Sequence, residues 1–118
     1  MSKSVLIVDD SPYMREMIKE IMSKAGHDVV GEAGTGEAAI DQSLELSPDV
    51  ITLDNILPDM IGTDILKVIK DQGLDSKVIM VSAVGQQSVI DEGLALGATD
   101  YIVKPFSADQ LTDLVDKI

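Results

Sequence analysis

Aspartate, serine and lysine residues directly follow four short apolar runs in this sequence. Asp9 and Asp10 follow the first of these runs, Asp54 and Ser82 follow two runs in the middle of the chain, and Lys104 follows the last. Three carboxylates about 5 Å apart repel one another by roughly 3 kcal/mol per pair at an effective dielectric near 20. A cation is therefore needed to hold them together. Because no His or Cys accompanies them, these oxygen ligands favour Mg²⁺ over Zn²⁺.

The same residues have the composition of a phosphoryl-binding site. Mg²⁺, a carboxylate, a hydroxyl and an ammonium together stabilise phosphoryl oxygens, and the carboxylate can itself accept the phosphoryl group. Asp54 is the predicted nucleophile. A single Asp after a strand is commonly a turn or helix-cap residue. Capping does not explain the joint pattern of Asp-Asp, Asp, Ser-Ala and Lys-Pro after four different apolar runs.

Short β-branched runs alternate with segments of helical periodicity along the whole chain. The runs are nearly continuous apolar stretches, which is typical of strands covered on both faces of a parallel sheet. Ligands bind outside the carboxyl ends of such strands, so the polar residues that follow four of them are predicted to converge. The predicted strands are residues 5–8, 28–30 and onward, 50–53, 78–81 and 101–103.

Capping residues mark the predicted helix boundaries. Ser11 followed by Pro12 starts the first helix and Gly26 ends it, while Ser107 opens the last helix with a capping-box pattern. Five strands alternating with five helices predict an α/β fold of (βα)5 type, with helices on both faces of one parallel sheet. The remaining predicted helices are residues 38–46, 63–72 and 86–96.

The composition excludes several classes of function. The chain has 118 residues, 45% of them hydrophobic, which is sufficient for one domain with its own core. Its 21 acidic and 9 basic side chains give a formal net charge of −12, which disfavours contact with nucleic acid and with anionic membranes. The sequence has no Cys, no signal-like segment and no membrane-length apolar stretch, so we expect a cytoplasmic protein.

Four segments of the sequence resemble a known family. The stretches VLIVDDS, DVITLDNILPDMIG, VIMVSAVGQQ and GATDYIVKPF are similar to the receiver domains of two-component response regulators. The resemblance covers the whole chain and implies one receiver domain over residues 1–118, without an effector domain. It also implies the flavodoxin-like strand order 2-1-3-4-5, of which the chemotaxis receivers are a known example. A receiver is a phosphoacceptor switch and not an enzyme that acts on metabolites.

The resemblance implies a role for each residue of the predicted site. Asp10 is implied to bind Mg²⁺ directly, Asp9 largely through water, and Ile56 through its backbone carbonyl. Asp54 is implied to contribute an oxygen to the metal and to accept the phosphoryl group from a histidine kinase. Lys104 is implied to act as a point charge on a phosphoryl oxygen, a task that suits an ammonium.

Two further residues are implied to form a switch. Ser82 is implied to hydrogen-bond the phosphoryl group, and Tyr101, three positions before Lys104, to rotate into the space that Ser82 leaves. Phosphorylation then shifts the population between two states according to the difference in their contacts. Readout is expected at the surface formed by the fourth helix, fifth strand and fifth helix, where a motor or adaptor protein binds.

The lifetime of the phosphoryl group is expected to depend on two apolar residues. Ile56 and Val84 lie two positions after Asp54 and Ser82, where the family tunes dephosphorylation. Neither side chain can orient a water molecule by hydrogen bonding, which leads to the hypothesis of weak intrinsic hydrolysis and dependence on a partner phosphatase. The alternative is that both residues only pack and exclude water.

The leading hypothesis is a stand-alone signalling switch that a histidine kinase phosphorylates. The segments SAVGQQ and GEAGTGEAAI most resemble chemotaxis receivers, which carry a signal from a kinase array to a flagellar or archaellar motor. A phosphorelay intermediate is the alternative within the family. An aspartate-nucleophile phosphatase and a flavin-binding carrier are alternatives of other classes. The position of Asp54 after the third strand disfavours the first, and repulsion of a flavin phosphate by Asp9 and Asp10 disfavours the second.

Two groups of residues receive a purely structural interpretation. His27 follows Gly26 at the end of the sheet opposite the aspartates, and we expect an exposed turn residue without a role. The six Met residues are expected to fill the core, since Met adapts to irregular packing.

Overall fold

The computed structural model describes residues 2–118 and contains five strands that alternate with five helices, as predicted. None of the helices in this described part is both long and apolar enough to cross a membrane. The strands are β1 (Ser4–Val8), β2 (Asp28–Ala33), β3 (Val50–Leu53), β4 (Lys77–Ser82) and β5 (Asp100–Val103). The helices are α1 (Pro12–Lys24), α2 (Gly36–Leu46), α3 (Gly62–Asp71), α4 (Gln87–Ala95) and α5 (Ala108–Asp116).

All five strands pair in parallel in the order β2-β1-β3-β4-β5, which confirms the flavodoxin-like topology. The carboxyl ends of the central strands are level with one another, because Val8 pairs with Leu53 and Leu53 with Met80. At the end of β5, Val103 pairs with Ser82. The residues that follow β1, β3, β4 and β5 therefore meet at one edge of the sheet.

Successive residues of β1 face two separate hydrophobic layers. Leu6 and Val8 pack in the layer that α2 and α3 cover, whereas Val5 and Ile7 pack in the layer that α1 and α5 cover. All four side chains are at most 2% exposed. Burial on both faces explains why the central strands β1, β3 and β4 are continuous apolar runs rather than alternating ones.

The helix ends follow the predicted caps, with one difference at α2. The side chain of Ser11 accepts a hydrogen bond at the start of α1, and Ser107 forms the predicted capping box at the start of α5. Helix α2 begins at Gly36, two residues before the predicted start at residue 38. The side chain of Thr35 caps it by accepting a hydrogen bond from a backbone N–H of its first turn.

The prediction for His27 is wrong. Its side chain is only 2% exposed. The ring Nδ1 accepts a hydrogen bond from the backbone N–H of Lys3 at 3.1 Å, and Nε2 lies 2.8 Å from a carboxylate oxygen of Asp116. Because Nδ1 accepts, the ring proton is on Nε2 and is donated to Asp116. His27 therefore joins the start of β1 to α5.

The prediction for the Met residues is confirmed only in part. Met22 and Met80 are fully buried, whereas Met14, Met17 and Met60 are half-buried. Met1 lies outside the described residues.

Candidate functional site

Three carboxylates converge at the carboxyl edge of the sheet, as predicted. Asp9 and Asp10 follow β1 and Asp54 follows β3, and one oxygen of each lies within 4.8 Å of the others. Asp9 and Asp54 are buried, whereas Asp10 is exposed. The cluster thus faces solvent on one side, which is the geometry that a hydrated Mg²⁺ ion needs.

Lys104 completes the cluster from the end of β5. Its Nζ lies 2.8 Å from a carboxylate oxygen of Asp9 and 3.6 Å from one of Asp54. The Lys104 backbone N–H donates to the carbonyl of Ser82, which holds the residue beside the end of β4. One ammonium faces three carboxylates, so the site retains an excess of negative charge that favours a further cation.

The electrostatic environment raises the pKa of Asp54 above the usual value for an aspartate. Burial is the largest cause and the neighbouring charge of Asp9 the second. Lys104 acts in the opposite direction, as do hydrogen bonds from the backbone N–H groups of Asn55 and Ile56. The ionised form is therefore held in an unfavourable site, and a divalent cation beside it would stabilise that form.

Ser82 and Tyr101, the two predicted switch residues, both contact Val84. Ser82 is 1% exposed, and its Oγ accepts a hydrogen bond from the backbone N–H of Val84 at 3.1 Å. The hydroxyl of half-buried Tyr101 donates to the carbonyl of the same residue at 2.7 Å. The backbone of Val84 thus connects the hydroxyl side chain at the end of β4 with the aromatic residue on β5.

Ile56 lies in the loop after the acceptor, with a side chain that is 62% exposed. Its backbone N–H is one of the groups that lower the pKa of Asp54, so the main chain of Ile56 lies near the predicted metal site. The use of its carbonyl as a metal ligand remains a prediction.

The sequence interpretation missed several residues that shape the site. The backbone N–H of Ser11 donates to the Asp9 carboxylate at 2.9 Å, and the guanidinium of Arg15 donates to the Asp9 carbonyl at 2.7 Å. Glu32 on β2 lies 3.4 Å from the Arg15 guanidinium. Ser11 was recognised only as a helix cap, and no local pattern distinguishes Arg15 from other basic residues of α1.

Comparison with known proteins identifies the family. The response regulator receiver domain family matches residues 5–116. The chain is 43% identical to the chemotaxis protein CheY of Thermotoga maritima, over all of this chain and 98% of the relative. It is 44% identical to the chemotaxis protein CheY of Bacillus subtilis, over 99% of this chain and 98% of the relative.

A solved structure supports the same assignment. A structure of the CheX-CheY-BeF3-Mg²⁺ complex from Borrelia burgdorferi contains a chain that is 31% identical to this one, with a TM-score of 0.93. The match covers 97% of this chain and 87% of that chain. On these similarities and on its topology, the chain belongs to the response regulator receiver domain family.

Proposed function

We propose that this receiver accepts a phosphoryl group on Asp54 from a phosphorylated histidine of a kinase. The observation that carries the proposal is the convergence of Asp9, Asp10 and Asp54, two of which, Asp9 and Asp54, lie beside the ammonium of Lys104. The three carboxylates supply the oxygen ligands of an Mg²⁺ site, and the ammonium adds a positive charge for a phosphoryl oxygen. The protein is accordingly a signalling switch rather than an enzyme that acts on metabolites.

Asp54, Lys104 and Ser82 have different roles in the phosphoryl transfer. The phosphorus–nitrogen bond of the phosphohistidine breaks as an oxygen of Asp54 forms a bond to phosphorus, and the histidine nitrogen takes the electron pair. Lys104 holds one phosphoryl oxygen by its charge. Ser82 accepts a hydrogen bond from the backbone, which leaves its hydroxyl proton for a second phosphoryl oxygen.

Mg²⁺ at this site would be held by Asp10, by Asp9 largely through water, by an oxygen of Asp54 and by the carbonyl of Ile56. When bound, Mg²⁺ would supply positive charge that offsets the negative charge of the phosphoryl oxygens and of the carboxylates. The Mg²⁺ in the complex of the Borrelia burgdorferi CheY supports the choice of metal.

The signal would be transmitted through Val84. Movement of Ser82 toward a phosphoryl group changes its bond to the Val84 backbone, and the same backbone holds the Tyr101 hydroxyl. Reorientation of Tyr101 would alter the surface that α4, β5 and α5 form, which would then bind the output protein. The full-length similarity to CheY proteins supports chemotaxis control of a flagellar or archaellar motor as the output. The CheX complex of the Borrelia burgdorferi relative supports recognition by a partner protein.

The phosphorylated form would be long-lived without a partner. Ile56 and half-buried Val84 present apolar side chains near the acceptor, and neither can hydrogen-bond an attacking water. We expect Ile56→Asn, which supplies an amide at this position, to lose its phosphoryl group several-fold faster than the wild type. Decay is followed by intact mass after removal of the phosphodonor. Equal decay rates would mean that Ile56 does not set the lifetime of the phosphoryl group.

Mass spectrometry tests the proposed function directly. The wild type, Asp54→Ala and the control Asp64→Ala are incubated with a small phosphodonor, with and without Mg²⁺. Asp64 is an exposed residue of α3 and lies outside the acidic cluster. The wild type and the control should gain one phosphoryl group in an Mg²⁺-dependent reaction, and Asp54→Ala should gain none. Equal incorporation by all three proteins, or none by the wild type, would refute the proposal.

A further inference from the structure

The loop between β3 and α3 is a short hairpin whose base is beside the acceptor. The N–H of Gly62 donates to the carbonyl of Asn55, and Ile56 pairs with Ile61 in an antiparallel bridge. The N–H of Leu57 then donates to the carbonyl of Met60 at 3.1 Å, which leaves residues 58 and 59 at the tip. The hairpin therefore carries Ile56 on one of its arms, two positions after the acceptor Asp54.

The tip of this hairpin is attached to the start of α2 by Asp59. One carboxylate oxygen of Asp59 accepts from the backbone N–H of Gly36 at 2.7 Å, and the other accepts from that of Glu37 at 3.1 Å. The cap of the helix itself, Thr35, accepts from the N–H of Ala38. The free N–H groups of the first turn are thus shared between a local cap and a residue 22 or 23 positions away.

Close packing reinforces this attachment. A Cβ atom added at buried Gly36 would lie 2.7 to 2.9 Å from side-chain atoms of Met60. Such a distance is far inside van der Waals contact, so the hairpin lies directly against the helix backbone. The hydrogen bonds of Asp59 lower its pKa below the usual aspartate value, so the carboxylate is ionised at neutral pH and suits the positive end of α2.

The start of α2 is also connected to the other metal-binding segment. Helix α2 follows Ala33, the last residue of β2, whose carbonyl accepts the backbone N–H of Asp9 at 3.0 Å. The guanidinium of Arg15 holds the Asp9 carbonyl and lies beside Gly34, where an added Cβ would be 3.2 Å away. Hydrogen bonds therefore connect the segment of Asp9 to the residues that precede α2. Asp59 in turn connects the start of α2 to the hairpin that carries Ile56.

We infer that Asp59 is a positioning residue for the Mg²⁺ site. It touches neither the acceptor nor the predicted metal ligands, and it sets the distance between the Ile56 backbone and the carboxylates by holding the hairpin on α2. The inference rests on the proposed function, because it concerns the same Mg²⁺ site.

The test compares two ways of removing a cap from α2. Asp59→Ala removes both bonds from the hairpin, and Asp59→Asn retains one acceptor. Thr35→Ala removes the local cap of the same helix without touching the hairpin. Mg²⁺ affinity is measured by calorimetry, and hydrogen exchange of the Gly36 and Glu37 amides reports the attachment. An unfolding curve confirms that each variant is folded.

The inference predicts an ordered series of affinities. Asp59→Ala should bind Mg²⁺ about tenfold more weakly than the wild type, as is typical when an outer-shell partner of a metal site is removed. Asp59→Asn should be intermediate, and Thr35→Ala should match the wild type. Faster exchange of the two amides in Asp59→Ala should accompany the loss.

Two results would overturn the inference alone. These are wild-type Mg²⁺ affinity in Asp59→Ala, or a loss in Thr35→Ala as large as that in Asp59→Ala, which would assign the effect to helix stability. A wild-type protein that binds no Mg²⁺ would overturn the proposed function and this inference with it, so the two failures are distinguishable.

Discussion

At the amino ends of the strands the ring of His27 lies between the backbone of Lys3 and the carboxylate of Asp116. At the carboxyl ends three carboxylates lie close together, and two of them share one ammonium. Both ring nitrogens of His27 have a hydrogen-bond partner. Lys3 also donates from Nζ to the carbonyl of Val115 at 2.7 Å, which ties β1 to the end of α5. Both ends of the sheet therefore hold polar side chains. Those at the amino end are paired in hydrogen bonds, whereas those at the carboxyl end include three neighbouring carboxylates.

The two ends differ in whether the environment satisfies the buried polar groups or disfavours them. At the amino end, a buried donor and a buried acceptor are both paired, and such pairs contribute to stability because an unpaired buried group is costly. At the carboxyl end, burial and the charge of Asp9 raise the pKa of Asp54. A site that penalises its own ionised residue is typical of function. Satisfied hydrogen bonds thus characterise the structural cluster, whereas unfavourable charge interactions characterise the functional one.

Removal of the ammonium should have the largest effect at the carboxyl end. Lys104→Ala takes away the charge that contacts Asp9 and Asp54. The rate of phosphoryl incorporation from a small phosphodonor should fall by about 10²- to 10³-fold, the cost of removing one preorganised donor at a developing negative charge. Lys67→Ala, which removes an exposed lysine of α3, is the control. A rate close to that of the wild type would contradict the role of Lys104.

The next largest effect is expected at the amino end and in stability only. His27→Ala leaves the Lys3 N–H without its acceptor and removes the bond to Asp116, so the free energy of unfolding should fall by about 2 kcal/mol. Urea denaturation at pH 7 measures it, with the exposed neighbour Asp28→Ala as control. The rate of phosphorylation should be unchanged in the folded variant. A slower rate at full folding would show that the two ends are coupled.

The smallest expected effect is the loss of stability that ionised Asp54 causes at the carboxyl end of the sheet. Because the pKa of Asp54 is raised in the folded state, folding favours its protonated form, and the ionised form lowers stability above that pKa. Asp54→Asn should therefore be more stable than the wild type at pH 7 without Mg²⁺. The advantage should shrink as the pH falls through the raised pKa toward the usual value of 3.8.

Urea unfolding of wild type and variant across this pH range provides the measurement. Asp64→Asn, which changes an exposed residue of α3, is the control. An advantage that grows on acidification would have the wrong sign and would refute the electrostatic comparison of the two ends.

The predictable part of the fold followed from local patterns. Continuous apolar runs such as residues 5–8 and 50–53 indicate strands buried on both faces, and strands separated by helices must form a parallel sheet. Asp9, Asp10 and Asp54 therefore had to lie at one edge. What local patterns missed were contacts between distant segments, such as the bonds of Asp59 to α2.

His27 shows why such contacts escape sequence interpretation. The residues next to His27 in the chain, such as Gly26, indicate only a turn. Its burial depends on α5, which packs across the start of β1 and carries Asp116, 89 positions after His27. A buried polar residue between elements, such as His27, carries no periodic signal, because its partners come from other elements.

By itself, the sequence determined which residues end the strands and hence which side chains meet at the carboxyl edge of the sheet. Only the tertiary structure decided how those side chains are balanced: that Lys104 bonds Asp9 more closely than Asp54, and that Val84 joins Ser82 to Tyr101. The physical reason is that the two kinds of feature depend on interactions over different separations along the chain. Backbone periodicity is set by neighbours in the chain, whereas a hydrogen bond depends on tenths of an ångström between elements that only packing brings together.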